Sequence, residues 1–265
     1  MPSLTEIIDR TLGRIQTSKS IASPLRIAGD ERGFEIAPGV MVVMCWIPPG
    51  EFLMGSPVDE DRRGDDETEH RVKITRGFWL AKTQTTQAQW QAVMGNNPSH
   101  HQGDDLPVEQ VSWIDICGDE AAGTGGFLGE LNQLVPGDER FHLPTEAQWE
   151  YACRAGTTGP YAGNPDEMVW YCDKDGYETH PCGQMMPNNW GLHDMHGNVW
   201  EWCADWHAKY DPGLVTDPTG PAAGTLRVCR GGIWSRHANY CRVADRGSSG
   251  PAESSKYLGF RVARS

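Results

Sequence analysis

The sequence of 265 residues is 38% apolar and carries a formal net charge of −13. This length allows one large, irregular domain or two small ones, and the apolar content supports a sizeable core. The acidic balance argues against a nucleic-acid partner, because phosphate contacts require a basic face. No apolar run approaches the roughly 20 residues that span a bilayer, which predicts no membrane insertion. Residues 1–16 lack the apolar stretch of a secretory signal, so the chain as encoded is predicted to be cytoplasmic, with display by a carrier left open.

The composition also indicates which kinds of fold are possible. With 11 Trp, 31 Gly and 18 Pro, the chain is expected to be rich in loops, because Gly and Pro form turns and interrupt helices. Its eight Cys include no Cys-x-x-Cys and no zinc-finger spacing, which argues against a disulfide scaffold and structural zinc. Residues 227–265 hold eight Arg or Lys and two acids, a local charge of +6. We interpret this excess as structural arginines and solvated faces.

The predicted elements are few and short. In chain order they are a helix at 4–15, a linker or short hairpin at 18–39, strands at 40–45 and 78–80, helices at 86–94, 115–134 and 144–152, and short strands at 229–233, 241–244 and 260–263. Apolar spacing indicates the first helix. Thr145 is a plausible N-cap for the helix at 144–152, which has Glu in its first turn. Glycines interrupt the pattern at 115–134.

Seven short phrases occur in a fixed order along the chain. They are residues 47–56 (IPPGEFLMGS), 69–70 (EH), 107–113 (PVEQVSW), 143–150 (LPTEAQWE), 191–202 (GLHDMHGNVWEW), 230–232 (RGG) and 259–261 (GFR). In this order they resemble the formylglycine-generating-enzyme family. The resemblance implies an α+β, C-type-lectin-like fold with little regular secondary structure over residues 40–265. Residues 1–39 are then an N-terminal helical extension and linker.

The resemblance first raises the possibility of an oxidase. The family's oxidase holds copper between two cysteine thiolates, four and nine residues after the second glycine of the Gly-Gly phrase. Counted from Gly232, these positions are Arg236 and Cys241, and arginine cannot ligate copper. If the two copper positions are instead counted back from residues 242–246, Cys241 no longer falls at either position. Cys229 lies on the wrong side of the turn, so the sequence predicts no copper centre.

A second branch of the family makes carbon–sulfur bonds at a histidine-bound iron. His100 and His101 are adjacent, so on a strand they would face opposite ways. The 39 N-terminal residues are too few for the helical domain that supplies most of the iron ligands. We therefore expect no iron. A metal-dependent oxidoreductase of the formylglycine-generating or sulfoxide-synthase type, with an altered active site, stays open as the alternative function.

The C-terminal segment, residues 227–265, resembles the variable region of proteins diversified by retroelements. In such proteins adenine-directed mutation reaches 15 amino acids and excludes Lys, Glu, Gln, Met and Trp. Glu253 and Lys256 lie outside the reachable set. The candidate ligand-binding residues, all inside it, are Ser235, Arg236, His237, Asn239, Tyr240, Asp245, Gly247, Ser248, Ser249, Ser254, Ser255 and Tyr257.

These candidates are interspersed with a fixed frame that includes residues 230–232, Trp234, Arg246 and residues 259–261. Tyr supplies rigid contact area, while Ser, Asn and Gly supply adaptable hydrogen bonds. The segment therefore predicts a non-catalytic surface that binds a protein or another macromolecule of unknown identity. The alternative is an ordinary polar loop.

Residues 194–201 match the family's calcium turn. Calcium takes hard oxygen ligands in a flexible shell. The resemblance implies side-chain oxygens from Asp194 and Glu201 and carbonyl oxygens from Gly197 and Val199. The sequence thus predicts a structural calcium ion, and the alternative is a hydrogen-bonded turn without metal.

Overall fold

The fold is known from a computed structural model that describes residues 26–119, 123, 125–171, 178–210 and 212–265. The helix predicted at 4–15 lies outside the described residues. The strands are β1 Glu31–Ala37, β2 Val40–Ile47, β3 Gly50–Met54, β4 His70–Ile74, β5 Phe78–Ala81, β6 Phe141–His142, β7 Val169–Trp170, β8 His196–Gly197, β9 Trp200–Trp206, β10 Leu214–Thr216, β11 Arg227–Arg230, β12 Arg246–Ser249, β13 Leu258–Gly259 and β14 Ala263–Arg264. The helices are α1 Gln87–Met94, α2 Trp113–Cys117, α3 Gly126–Leu134, α4 Glu146–Arg154 and α5 Pro165–Met168. The mixed α+β class is confirmed.

A five-stranded sheet in the order β1-β2-β5-β14-β6 joins early and late parts of the chain. β1 and β2 form an antiparallel hairpin, of which only β1 lies within residues 18–39, the range predicted as a linker or short hairpin. The predicted domain boundary after residue 39 lies in the turn of this hairpin. Alternate residues of β2 enter two apolar clusters, Val42 and Met44 in one and Cys45 and Ile47 in the other. Burial on both faces explains the continuous apolar run.

Two of the helices begin at threonines that cap them. Thr86 accepts a hydrogen bond from the backbone N–H of Gln89, and the Gln89 side chain accepts one from the N–H of Thr86. Thr145 caps α4 in the same way. The single helix predicted at 115–134 is wrong: α2 ends at Cys117, because the φ of 88° at the next residue, Gly118, leaves the helical region, and α3 begins at Gly126.

The C-terminal segment lies on a four-stranded sheet in the order β12-β11-β9-β13. Its central strand β11 is antiparallel to both neighbours and ends at Arg230. Gly231 and Gly232, with φ of 102° and 80°, turn the chain there, and a Cβ on Gly232 would lie 2.4 Å from the carbonyl oxygen of Tyr240. The strand predicted at 241–244 is wrong, because the chain closes a turn in which the N–H of Asp245 donates to the carbonyl of Arg242.

Candidate functional site

A cavity of about 500 Å³ opens on the four-stranded sheet; we call it the C-terminal cavity. Its apolar lining is contributed by β9, β11, β13 and the turn after β11, through Trp200, Cys229, Leu258 and Ile233. Cys229, Ile233 and Leu258 are buried and Trp200 is half-buried. Sequence analysis did not single out these four residues as binding residues, because each has the apolar character of ordinary core.

The polar lining of the C-terminal cavity comes from the predicted binding set. Eight of the twelve candidates line it: Ser235, Arg236, Tyr240, Gly247, Ser248, Ser249, Ser255 and Tyr257. Tyr240 is 37% exposed, and Tyr257 is half-buried. Residues that are 22 positions apart in the sequence therefore share one opening. Their role in binding stays a prediction.

The other four candidates lie elsewhere. His237 and Ser254 are exposed outside the cavity lining, and Asn239 is half-buried, with its carbonyl accepting a hydrogen bond from Arg242 Nε at 3.2 Å. Asp245 pairs with Arg242 at 3.5 Å. Burial raises the pKa of Asp245 to about 7, against the opposing effect of Arg242. Asp245 therefore contacts the buried arginine below the cavity and does not line the opening.

Cations and aromatic rings meet beside the cavity. The Arg236 guanidinium lies 5.2 Å from the Tyr240 ring, and Lys256 Nζ lies 5.3 Å from the ring of Tyr257. The rings of Trp234 and Tyr257 are 5.3 Å apart. Cation–π contacts of this kind are worth about 0.5–1 kcal/mol at exposed sites. The surface is thus aromatic and cationic on a protein whose net charge is negative.

Beneath the cavity, arginines and carboxylates form a buried framework, which we define as Arg230, Arg242, Arg246, Glu67, Glu146 and Glu150. Arg230 pairs with Glu150 through Nη2 and with Glu146 at 3.4 Å. Arg246 binds both oxygens of Glu146, at 2.7 and 2.8 Å. Burial alone would raise the pKa of Glu146, but Arg246 and Arg230 outweigh it and lower that pKa.

The framework also fixes a distant loop. Arg242 donates to both oxygens of Glu67, at 2.9 and 2.7 Å, and its side chain is 3% exposed. Because β12 pairs Arg246 with Arg230 on β11, the two framework arginines of the sheet lie side by side. These buried, paired guanidinium groups support the interpretation of structural arginines for residues 227–265.

The predicted calcium turn contains the expected oxygens but uses them differently. The Asp194 carboxylate accepts hydrogen bonds from Trp170 Nε1 at 3.0 Å and from the N–H of Gly183 at 2.7 Å. Burial raises the pKa of Asp194. Gly197 has a φ of 100°, and a Cβ there would lie 2.2 Å from the Trp170 carbonyl oxygen. The turn therefore requires glycine at this position whether or not an ion binds.

The nitrogen of one amide, Gln84 Nε2, lies where the other oxygens of the turn converge. It is 3.0 Å from the Val199 carbonyl, 3.0 Å from Glu201 Oε1 and 3.2 Å from the Gly197 carbonyl. Arg261 already holds both oxygens of Glu201, at 2.6 and 2.7 Å. In this arrangement the donor set does not fit Ca²⁺, because a nitrogen occupies the centre and a guanidinium neutralises the carboxylate. Calcium binding stays a prediction.

Comparison with known proteins identifies the family. Residues 38–265 match the sulfatase-modifying factor enzyme 1-like domain. The chain belongs to this family. The formylglycine-generating enzyme of Streptomyces coelicolor is 31% identical, with 92% of this chain and 96% of that protein aligned. The resemblance stated from the seven phrases is confirmed.

Two solved structures of similar shape support the family's C-type-lectin-like fold. Variable protein 1 of Treponema denticola superposes with a TM-score of 0.77 and 29% identity, covering 88% of this chain and 98% of its own. PvdO from Pseudomonas aeruginosa superposes with a TM-score of 0.77 and 26% identity, covering 91% of this chain and 99% of its own. The predicted fold is confirmed.

The family's copper positions differ in their surroundings. Arg236 lines the C-terminal cavity, whereas the Cys241 thiol is fully buried, 3.9 Å from the carbonyl oxygens of Trp170 and Ile233. Within the described ranges, no three His, Cys, Asp or Glu side chains form a group that could hold a metal ion. Among the same residues no helix is long and apolar enough to cross a bilayer.

Proposed function

We propose that this chain is a non-catalytic ligand-binding protein whose C-terminal loops form a diversified binding surface, as in the variable proteins of diversity-generating retroelements. The observation that carries the proposal is the C-terminal cavity, where eight of the twelve candidate residues meet. The likeness to the Treponema denticola variable protein supports it further.

The separation of support and surface also favours this function. The framework arginines are buried and paired with carboxylates, while Ser, Tyr and Gly residues make up more than half of the cavity lining. Tyr gives rigid contact area with few rotatable bonds, and Ser and Gly adapt their hydrogen bonding to the partner. Substitutions at the lining would change what is bound without removing a framework contact. The proposed ligand is a protein or another macromolecule.

Sequencing the gene and its flanking DNA in independent isolates tests this function. We expect a reverse-transcriptase gene beside a near-copy of the 3′ end of this gene. Differences between isolates should fall at those positions of the gene that are adenines in the near-copy. These positions should lie within codons for lining residues such as Ser235, Tyr240 and Ser248. Codons for Arg230 and Phe260 should stay unchanged. Variation spread evenly over the gene, with no such copy beside it, contradicts the proposal.

A metal-dependent oxidoreductase is the alternative, favoured by the identity with the Streptomyces coelicolor formylglycine-generating enzyme. Purified protein loaded with copper is incubated with a Cys-x-Pro-x-Arg peptide, and the aldehyde is sought by mass spectrometry. We expect no copper-dependent product, since Arg236 occupies a thiolate position in one register. Arg236→Cys is the informative companion variant, because it restores the soft donor. Slow turnover by the unaltered chain would overturn the non-catalytic proposal.

A further inference from the structure

A second cavity, of about 590 Å³, lies at the ends of β2, β5 and β14, and none of its lining residues lines the C-terminal cavity. Its lining combines Arg26, Arg76 and Arg264 with the indole rings of Trp46 and Trp79. We call it the arginine cavity. None of the twelve candidate ligand-binding residues lines it, so any ligand here is separate from the proposed binding surface.

Buried hydrogen-bond donors concentrate beside this cavity. Arg264 and Trp79 are register partners on β14 and β5 and are 3% and 4% exposed. Arg264 Nε, Arg264 Nη1 and Trp79 Nε1 have no hydrogen-bond acceptor within the part of the chain that the structure describes. A buried donor without an acceptor costs about 1–3 kcal/mol. Three such donors at adjacent positions need an explanation, and a ligand that carries acceptor oxygens supplies one.

The Arg264 guanidinium is held rigidly for such a ligand. Its central carbon lies 4.3 Å from the Phe34 ring and 4.6 Å from the Phe141 ring. Contacts of this kind with two aromatic rings restrict the planar group without using its N–H donors. A planar guanidinium with free Nε and Nη donors binds carboxylate or phosphate oxygens in pairs.

Positive charge around the cavity is only partly neutralised. Glu139 accepts a hydrogen bond from Arg32 at 3.1 Å, but it lies 3.9 Å from Arg26 and 3.8 Å from Arg264, beyond hydrogen-bond distance. Asp217, the other acidic side chain of the lining, is bound by the N–H and hydroxyl of Thr75. Arg76, also on the lining, is exposed. The lining therefore carries three guanidinium groups against two carboxylates.

We propose that the arginine cavity is a binding site for an oxyanion, a phosphate or carboxylate group of a small ligand. Its oxygens accept hydrogen bonds from Arg264 Nε and Nη1 and from Trp79 Nε1, with Arg26 and Arg76 supplying further positive charge. Glu139, whose side chain is 34% exposed, is the competing carboxylate and turns toward solvent when the oxyanion enters. This site does not depend on the proposed function.

Isothermal titration calorimetry of the full chain tests the site, with inorganic phosphate and acetate as probes and chloride at equal ionic strength as the reference. We expect saturable binding of phosphate or acetate, and the tighter of the two assigns the oxyanion class. Glu139→Gln should tighten binding roughly tenfold, because it removes a like charge from the site. Arg76→Gln, at an exposed position, should weaken it several-fold, whereas Arg236→Gln beside the other cavity should leave it unchanged.

Arg264→Gln should abolish binding, and circular dichroism establishes that this variant is folded before its result is used. If Arg264→Gln does not fold, the Glu139→Gln and Arg76→Gln pair carries the test alone. The absence of saturable heat with either probe overturns the proposal. Equal affinities for the unaltered chain and the Glu139→Gln variant overturn it as well, because a purely structural arginine cluster would not respond in opposite directions to the two changes.

Discussion

Arg230 and Arg236 are six residues apart and have opposite surroundings. Arg230 is fully buried between Glu146 and Glu150, whereas Arg236 is exposed and stacks on Tyr240. The Gly231–Gly232 turn separates the two environments, because only glycine allows the chain to reverse so close to the Tyr240 carbonyl. The comparison teaches that one short segment contains both the supports of the sheet and the residues that face the C-terminal cavity.

The largest expected effect distinguishes these two arginines directly. Arg230→Ala leaves Glu150 and Glu146 with less charge compensation in a buried setting, and breaking a buried ion pair costs about 3–5 kcal/mol. Arg236→Ala removes an exposed side chain and should stay within about 0.5 kcal/mol. Urea denaturation of both variants measures the difference. Equal losses of unfolding free energy would show that the division between framework and surface is false.

Aromatic residues of the same segment sharpen the comparison. Trp234 and Phe260 are 3% and 0% exposed, so Trp234→Ala or Phe260→Ala should each cost about 3–5 kcal/mol. Exposed substitutions usually stay within about 0.5 kcal/mol each, so a combined variant of the surface should remain close to the unaltered chain. That variant replaces the exposed residues His237, Tyr240 and Ser248. If the surface variant lowers the temperature of thermal unfolding as much as Phe260→Ala does, the prediction is wrong.

A moderate effect concerns the turn that sequence analysis assigned to calcium. Gln84→Ala removes the donor shared by the Val199 carbonyl and Glu201, and leaving buried acceptors unpaired costs about 1–3 kcal/mol. If Gln84 keeps the position that it has in this structure, a chelator should leave the melting temperature unchanged. If calcium binds instead, the chelator should lower it, added calcium should raise it as RT ln(1 + [L]/Kd), and Glu201→Ala should remove the response.

A further prediction concerns the pH dependence of Asp245. Its pKa in the folded state is about 7, above the ordinary 3.8, so this carboxyl favours folding while protonated. That contribution is lost as the pH rises from 3.8 towards 7 and changes no further above 7. Across this window the unfolding free energy of the unaltered chain should therefore fall relative to that of the Asp245→Asn variant. The exposed Asp61→Asn is the control, and parallel pH profiles for the Asp245→Asn variant and the unaltered chain would refute the assignment.

Local signals in the sequence predicted much of the fold. Thr86 and Thr145 sit at helix starts because their side chains satisfy backbone N–H groups within the same turn. Residues 40–45 were predicted as a strand from their apolar run, and β2 spans Val40–Ile47. By contrast, the strand predicted at 241–244 failed. Val243 is buried in an apolar cluster with strand and helix residues, although its own segment forms a turn, and a local pattern cannot tell burial in a turn from burial in a strand.

The candidate site was predictable only in part, for a related reason. The Tyr and Ser residues of the C-terminal segment stand out by composition, but Trp200 and Leu258 reach the cavity through the pairing of β13 with β9. Asp245 resembles its polar neighbours in sequence and is drawn inward by Arg242. Gln84 is distant in sequence from the turn it enters. Pairings over such separations leave no periodic signal in a single sequence.

The position of β14 between β5 and β6 has a consequence for synthesis on the ribosome. β5 and β6 emerge well before residues 263–264, which must arrive before the sheet can close. Until then both strands present unpaired backbone edges, which are templates for association with other chains. Contacts between residues so distant along the chain also slow folding. Closure of this sheet is therefore a late step in folding, because the strand between β5 and β6 is the last of the described strands to be synthesised.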